Sequence, residues 1–171
     1  GKGLEVVDLG TDVDVRIAMA SGGKNLGYSG TNVVTVTPVS NADQSWKLTK
    51  QSDGSYKITN NATGKVLDVY AASRANGANV DLYASNDTNA QRWYIYQNTN
   101  GTYSLRAKCG TTCALTVSGN STAAGANVQM NTYSGAAGQQ FNITVVSEME
   151  AEPPTPANIG SNFWGNIRGV A

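Results

Sequence analysis

Three marks recur in constant order along this chain, and the whole set recurs three times. Gln44-Ser45-Trp46, Gln91-Arg92-Trp93 and Gln139-Gln140-Phe141 form a Q-x-aromatic series at spacings of 47 and 48 residues. Twelve residues before each Gln stands an Asn-Val pair, at Asn32-Val33, Asn79-Val80 and Asn127-Val128; the second and third pairs sit inside identical Gly-Ala-Asn-Val strings. Further upstream lie Asn25-Leu26-Gly27-Tyr28, Val66-Leu67-Asp68-Val69 and Ala114-Leu115-Thr116-Val117. A period of this length restricts the chain to an architecture of three equivalent units that bury their apolar faces together.

The local pattern says what each unit is made of. Trp46-Lys47-Leu48 leads through Asp53-Gly54 to Tyr56-Lys57-Ile58, and Trp93-Tyr94-Ile95 through Asn100-Gly101 to Tyr103-Ser104-Leu105. Period-two alternation marks strands, and Asp-Gly or Asn-Gly supplies the positive φ that tight hairpin turns need. Phe141-Asn142-Ile143 has no such hairpin after it. Its missing partner is Val15-Arg16-Ile17, which lies 41 residues ahead of Tyr56-Lys57-Ile58, the same offset as Leu26 to Leu67. The first strand is therefore expected beside the last. No amphipathic helix of useful length is present. The expected fold class is all-β, a β-trefoil of about twelve short strands closed on itself. Its lobes are expected over about 12–48, 49–95 and 96–146, with extensions at both ends.

The combination of L-D-V, G-A-N-V and Q-x-W resembles the ricin B-type lectin family over roughly residues 12–146, in particular the carbohydrate-binding modules appended to bacterial glycosidases and surface proteins. In that family the Q-x-W residues are structural. Trp46, Trp93 and Phe141 are expected to fill the core, while Gln44, Gln91 and Gln139 satisfy backbone groups that a turn leaves unpaired. A pyranose offers paired hydroxyls and an apolar face, so it is recognised by a carboxylate that accepts two hydroxyl bonds and by an aromatic ring.

The resemblance places such a site in the second lobe. Asp68 stands at the L-D-V position, Asp81 where the family often has Gln, and Tyr83 as the stacking ring. Asn86 and Asn89 precede Gln91, whose immediate predecessor is Ala90 where many members carry Asn. The bland reading of Asp68 is a turn residue capping its own backbone. The first lobe has Gly27 in place of the Asp, Val34 and Val36 in place of the polar and aromatic contacts, and six fewer residues between Leu26 and Gln44 than between Leu67 and Gln91. The third has Thr116, with Gln129, Asn131 and Tyr133 nearby. The expected partner is a glycan of galactose or xylose type, held weakly by the second lobe alone. The rival expectation is a degenerate trefoil that serves as a spacer or protein-interaction module.

Composition excludes other classes. Lys plus Arg and Asp plus Glu number twelve each, so there is no basic stripe for nucleic acid. No apolar run approaches the roughly 20 residues that span a bilayer. The chain has no His, the commonest general base and metal ligand, and no Glu within the repeats, so no enzyme, metal site or cofactor is expected. Only 14% of residues are charged, leaving Asn, Thr, Ser and Gly to carry the polar surface, a style of extracellular β-proteins. An extracellular or cell-surface location follows as an expectation. Cys109 and Cys113 are too few for a zinc site; a disulfide across this short turn is preferred over two free thiols. It would pin one extra residue, since Leu105 to Leu115 spans ten and Ile58 to Leu67 nine. After Val146 the chain turns acidic and Pro-rich over 147–157, a linker by composition. Residues 158–171, with Phe163 and Trp164, read as a docking segment or the opening of a further module in a larger parent protein.

Overall fold

Six strands pair in a closed ring. These are β2 (Val13–Met19), β5 (Trp46–Lys50), β6 (Tyr56–Asn60), β9 (Trp93–Gln97), β10 (Tyr103–Ala107) and β13 (Phe141–Val145). Each is antiparallel to the next, and β13 returns to β2. The first-beside-last expectation holds, with Phe141 opposite Met19, Ile143 opposite Ile17 and Val145 opposite Val15. The computed structural model in which this barrel is seen describes residues 5–146. The expectations for 147–171, including the docking of Phe163 and Trp164, lie outside the described residues.

Three hairpins cap one end of the barrel: β3 (Asn25–Ser29) with β4 (Asn32–Val36), β7 (Val66–Val69) with β8 (Ala78–Tyr83), and β11 (Cys113–Val117) with β12 (Val128–Thr132). They meet about a pseudo-threefold axis, through the backbone pairs Asn32 with Asp81, Asn79 with Gln129, and Val34 with Asn127. The Asn of each Asn-Val pair lies at this junction. Asn32 Nδ2 donates to Asn127 Oδ1 at 2.8 Å, Asn127 Nδ2 to Asn79 Oδ1 at 3.0 Å, and Asn79 Nδ2 to Asn32 Oδ1 at 2.7 Å. This head-to-tail ring of amides satisfies three donors and three acceptors where three chain segments converge. It explains why the Asn recurs.

The core lies inside barrel and cap. Trp46, Trp93 and Phe141 are fully buried, as the repeat requires. The indole N–H of Trp46 donates to Leu26 O and that of Trp93 to Leu67 O, tying each ring to the hairpin above it. The hairpins between barrel strands are looser than two-residue turns. Gly54 alone takes positive φ and Gln51 pairs with Ser55, so the loop has three residues, a type I turn with Gly in the left-handed position.

Two features differ from expectation. The strands number thirteen among the described residues, because the N-terminal extension contributes β1 (Glu5–Val6) along β9. Val7 N–H then bonds Ile95 O, Leu9 N–H bonds the Tyr56 hydroxyl at 2.7 Å, and Val7 and Leu9 pack on the core. The expected disulfide is also absent: Cys109 and Cys113 are both free thiols. Cys113 opens β11 with its Sγ 3.8 Å from Arg74 O and 4.0 Å from Asn76 Oδ1, facing the second-lobe loop. Backbone bonds from Gly110 N–H to Ala107 O and from Cys113 N–H to Gly110 O already close the turn.

Candidate functional site

The second lobe opens a cavity of about 430 Å³ beside the cap. Asp68 and Asp81 form its floor, directly opposite one another on β7 and β8. Asp68 is 93% buried by its strand, with 7% exposure, and its Oδ2 accepts from Gln91 Nε2 at 2.6 Å. Gln91 therefore has two duties. It ties the loop, accepting from Asn86 N–H and donating to Ala84 O, and it orients the carboxylate. Asp81 is less fortunate: its Oδ1 is buried and has no hydrogen-bond partner. Burial pushes both carboxyls above the usual carboxylate range. For Asp68 the Gln91 bond opposes the rise; for Asp81 the charge of Asp68 adds to it.

Two tyrosines stand at the mouth. Tyr83 ends β8 at 57% exposure, and Tyr70, directly after β7, is 65% exposed. Tyr70 opens a 3₁₀ turn, Tyr70–Ala72, in which Ala71 and Ala72 both hold left-handed backbone at φ 57° and 52°. Asn86 and Thr88 line the far side, with Asn86 Oδ1 occupied by the N–H and hydroxyl of Thr88. Asn89 does not join them. It sits exposed on the turn Asn89–Gln91, and the phase of that turn gives the cavity Ala90 instead. Of the residues the sequence singles out, Asp68, Asp81, Tyr83 and Asn86 line this cavity and Asn89 does not, while Tyr70 with its alanine turn lines it without having been singled out. The available signal was an aromatic directly following L-D-V.

The other lobes are closed in different ways. In the first, β3 turns straight into β4, so the wall turn is deleted. A Cβ on Gly27 would lie 2.7 Å from Val36 Cγ2, so the valine fills the space of the carboxylate. In the third, Thr116 Oγ1 donates to Ala114 O and accepts from Gln139 Nε2. Gln129 Nε2 is taken by Asn131 Oδ1, and Tyr133 stacks 4.2 Å from the Arg106 guanidinium. Asn120, in the place of Ala72, accepts from Gly138 N–H at 2.7 Å and draws the two turns together.

A profile for the ricin-type β-trefoil lectin domain-like family matches residues 6–83, 42–131 and 89–150, overlapping stretches that together cover nearly the whole described chain. The chain belongs to this family. Among solved structures, the designed threefold-symmetric protein ThreeFoil superposes at a TM-score of 0.73, with 33% identity over 77% of this chain and 97% of its own. The Macrolepiota procera ricin B-like lectin, solved with lactose, gives 0.71 at 16% identity over 81% and 99%. An exo-β-1,3-galactanase from Clostridium thermocellum gives 0.72 at 22% identity over 82% of this chain but only 31% of the galactanase. Curated sequences contain no match to the chain. The Gln of each Q-x-aromatic triplet carries the loop bonds of its lobe. Gln44 accepts from Val39 N–H and donates to Thr37 O, and Gln139 accepts from Ser134 N–H and donates to Thr132 O.

Proposed function

We propose that this chain is a non-catalytic carbohydrate-binding module that holds a pyranose in its second-lobe cavity. The observation that carries this reading is the pair of carboxylates, Asp68 and Asp81, lining one cavity together with Tyr70 and Tyr83. The Asp81 carboxylate accepts from a sugar hydroxyl, a charge-assisted bond worth about 1.5–3 kcal/mol. Asp68 offers a second acceptor, and Tyr70 or Tyr83 a face for the apolar side of the ring. The two carboxylates share one floor on adjacent strands rather than flanking a bond across a cleft, which favours binding over hydrolysis. The lactose complex of the Macrolepiota lectin supports a galactose-type ligand. The partial span of the galactanase supports a module attached to other domains. The low charge and the Asn-, Thr-, Ser- and Gly-rich polar surface suit a secreted or cell-surface parent.

A single shallow site gives Kd on the order of 0.1–1 mM. NMR titration with galactose, lactose and xylose tests the reading. Amide shifts are expected around residues 68–72 and 81–91. Shifts confined to the third lobe, or none with any sugar, would refute it. The closure of lobes one and three favours a second reading, a trefoil drifting toward a spacer role, and the absence of any shift would select it.

A further inference from the structure

The floor of the second-lobe cavity carries two carboxylates and no cation. The ion pairs of the described residues lie elsewhere: Lys47 with Asp14, Lys50 with Asp8, Arg92 with Asp87, and Lys108 with Asp53. Neither Asp68 nor Asp81 belongs to one, and the cavity lining contains no Lys or Arg. Every side-chain acceptor on the floor is thus anionic. A neutral hydroxyl can bond to one of them, but it leaves the pair's mutual repulsion in place. A group that is both a multiple donor and positively charged bonds to both carboxylates and relieves the repulsion at once.

From this floor and the two exposed tyrosine rings at its mouth, and building on the carbohydrate reading above, we propose that the preferred ligand is a hexosamine whose amine is free and protonated, rather than a neutral or N-acetylated sugar. An ammonium has three N–H donors, enough for one bond to the Asp81 carboxylate and a second to Asp68. The faces of Tyr70 and Tyr83 attract a cation as well as the C–H face of a pyranose. The volume of about 430 Å³ suits one ring. A divalent metal is a poorer occupant. It wants six or more oxygen ligands, and no cluster of three ligating side chains exists among the described residues. An acetamide removes the charge and leaves one N–H, forfeiting both gains. The equivalent position of the third lobe is Gln129, so Asp81 puts a second anionic acceptor where that lobe has an amide.

The test is a set of NMR titrations at about pH 6, below the range near 7.7–8.0 of an ordinary α-amine. Galactosamine, N-acetylgalactosamine, galactose and methylammonium are titrated against wild type and Asp81→Asn. In wild type, galactosamine is expected to bind at least about tenfold more tightly than the other three, with a gap that narrows in high salt. In Asp81→Asn both sugars should bind more weakly, galactosamine by the larger factor, so that the gap closes to within about twofold. Equal affinity for galactose and galactosamine in wild type would overturn this inference and leave the carbohydrate site standing. Methylammonium binding as tightly as galactosamine would overturn it too, since the ring would then go unrecognised. A gap that survives Asp81→Asn would place the preference on another group. No response to any of the three sugars would sink the carbohydrate reading itself.

Discussion

The second and third lobes follow the same path and differ in what they leave unsatisfied. Both carry a 3₁₀ turn after the inner strand, and both put its last two residues in the left-handed region. The third lobe uses Gly119 and Asn120 there, residues that tolerate it. The second uses Ala71 and Ala72, each strained by roughly 1 kcal/mol. At the positions equivalent to the second-lobe cavity the third lobe's polar groups bond one another: Thr116 with Ala114 and Gln139, Gln129 with Asn131, Asn120 with Gly138. Its own unpartnered buried atoms, Ser104 Oγ and the Arg106 Nε and Nη2, lie on β10 instead. The second lobe keeps an unpartnered carboxylate oxygen on a cavity-lining residue and two tyrosines in solvent. The third lobe has closed among its own side chains the positions that the second leaves open.

The comparison can be broken most forcefully through the core. Trp93→Ala should destabilise by about 3–5 kcal/mol, from lost burial and a cavity. It also frees Leu67 O, next to Asp68, so sugar binding should fall even in the folded fraction at low temperature. Phe141→Ala should lose a similar amount of stability but leave folded-state affinity unchanged, because its lobe carries no site. Denaturant melts paired with NMR titration read both quantities. Equal loss of affinity in the two variants would mean that the lobes are coupled, not independent. Next in size, Asp68→Ala should weaken binding by roughly 10- to 150-fold, the equivalent of about 1.5–3 kcal/mol for a charge-assisted bond. Thr116→Ala should leave binding within twofold, and the reverse ranking would put the site in the wrong lobe.

How far the sequence made this difference visible depends on how local the cause is. Asp68, Asp81 and Tyr83 alternate along two paired strands, so counting from Leu67 and Gln91 sufficed to bring them together. The replacements at Gly27, Val34, Val36 and Thr116 were legible for the same reason. Asn89 lies outside the cavity lining because a one-turn 3₁₀ segment can present either neighbour, and only the fold decides that Ala90 faces inward. Cys109 and Cys113 are close in sequence, but Cys113 begins a strand whose side chain points to another lobe, a direction that spacing does not encode. The Ala71-Ala72 turn carries no turn residue at all and was invisible. The asparagine ring showed itself as a repeat, while its chemistry required three segments to meet.

A smaller effect tests what holds the third lobe shut. A Cβ on Gly138 would lie 2.6 Å from Val117 O and 2.8 Å from Asn120 Oδ1. The first contact is backbone, so relief demands that the two turns separate. Gly138→Ala is therefore expected to destabilise by about 1–3 kcal/mol, in the range for overpacking. The equivalent position in the second lobe is Ala90, whose methyl could not fit at the third-lobe spacing. That methyl is part of what keeps the second cavity open. Ala90→Gly should lower stability by no more than about 1 kcal/mol, from backbone freedom and lost burial. Tolerance of Gly138→Ala without loss of melting temperature would show that the turns are not clamped.

The smallest effect has the most informative sign. Asp81→Asn removes a half-buried carboxylate whose Oδ1 is without a partner and which Asp68 repels. At neutral pH the variant should be more stable than wild type, by about 1 kcal/mol, the scale of one unsatisfied buried group. The pH dependence follows from the direction of the shifts. Both carboxyls titrate higher folded than unfolded, so between the two values the native state holds more protons. Wild-type stability from these groups falls as pH rises through that window and stays low above it. Below about pH 3 both states are protonated, relative to an unfolded value near 3.9, and the penalty vanishes. The advantage of Asp81→Asn should therefore be present at about pH 7 and absent at about pH 3, with Thr116→Val in the third lobe showing no such pH dependence. Thermal melts of the three proteins at both pH values decide it. An advantage that is independent of pH would come from packing rather than charge. A variant less stable than wild type at neutral pH would mean that Asp81 is already satisfied in solution, and the contrast between an open lobe and a finished one would lose its main support.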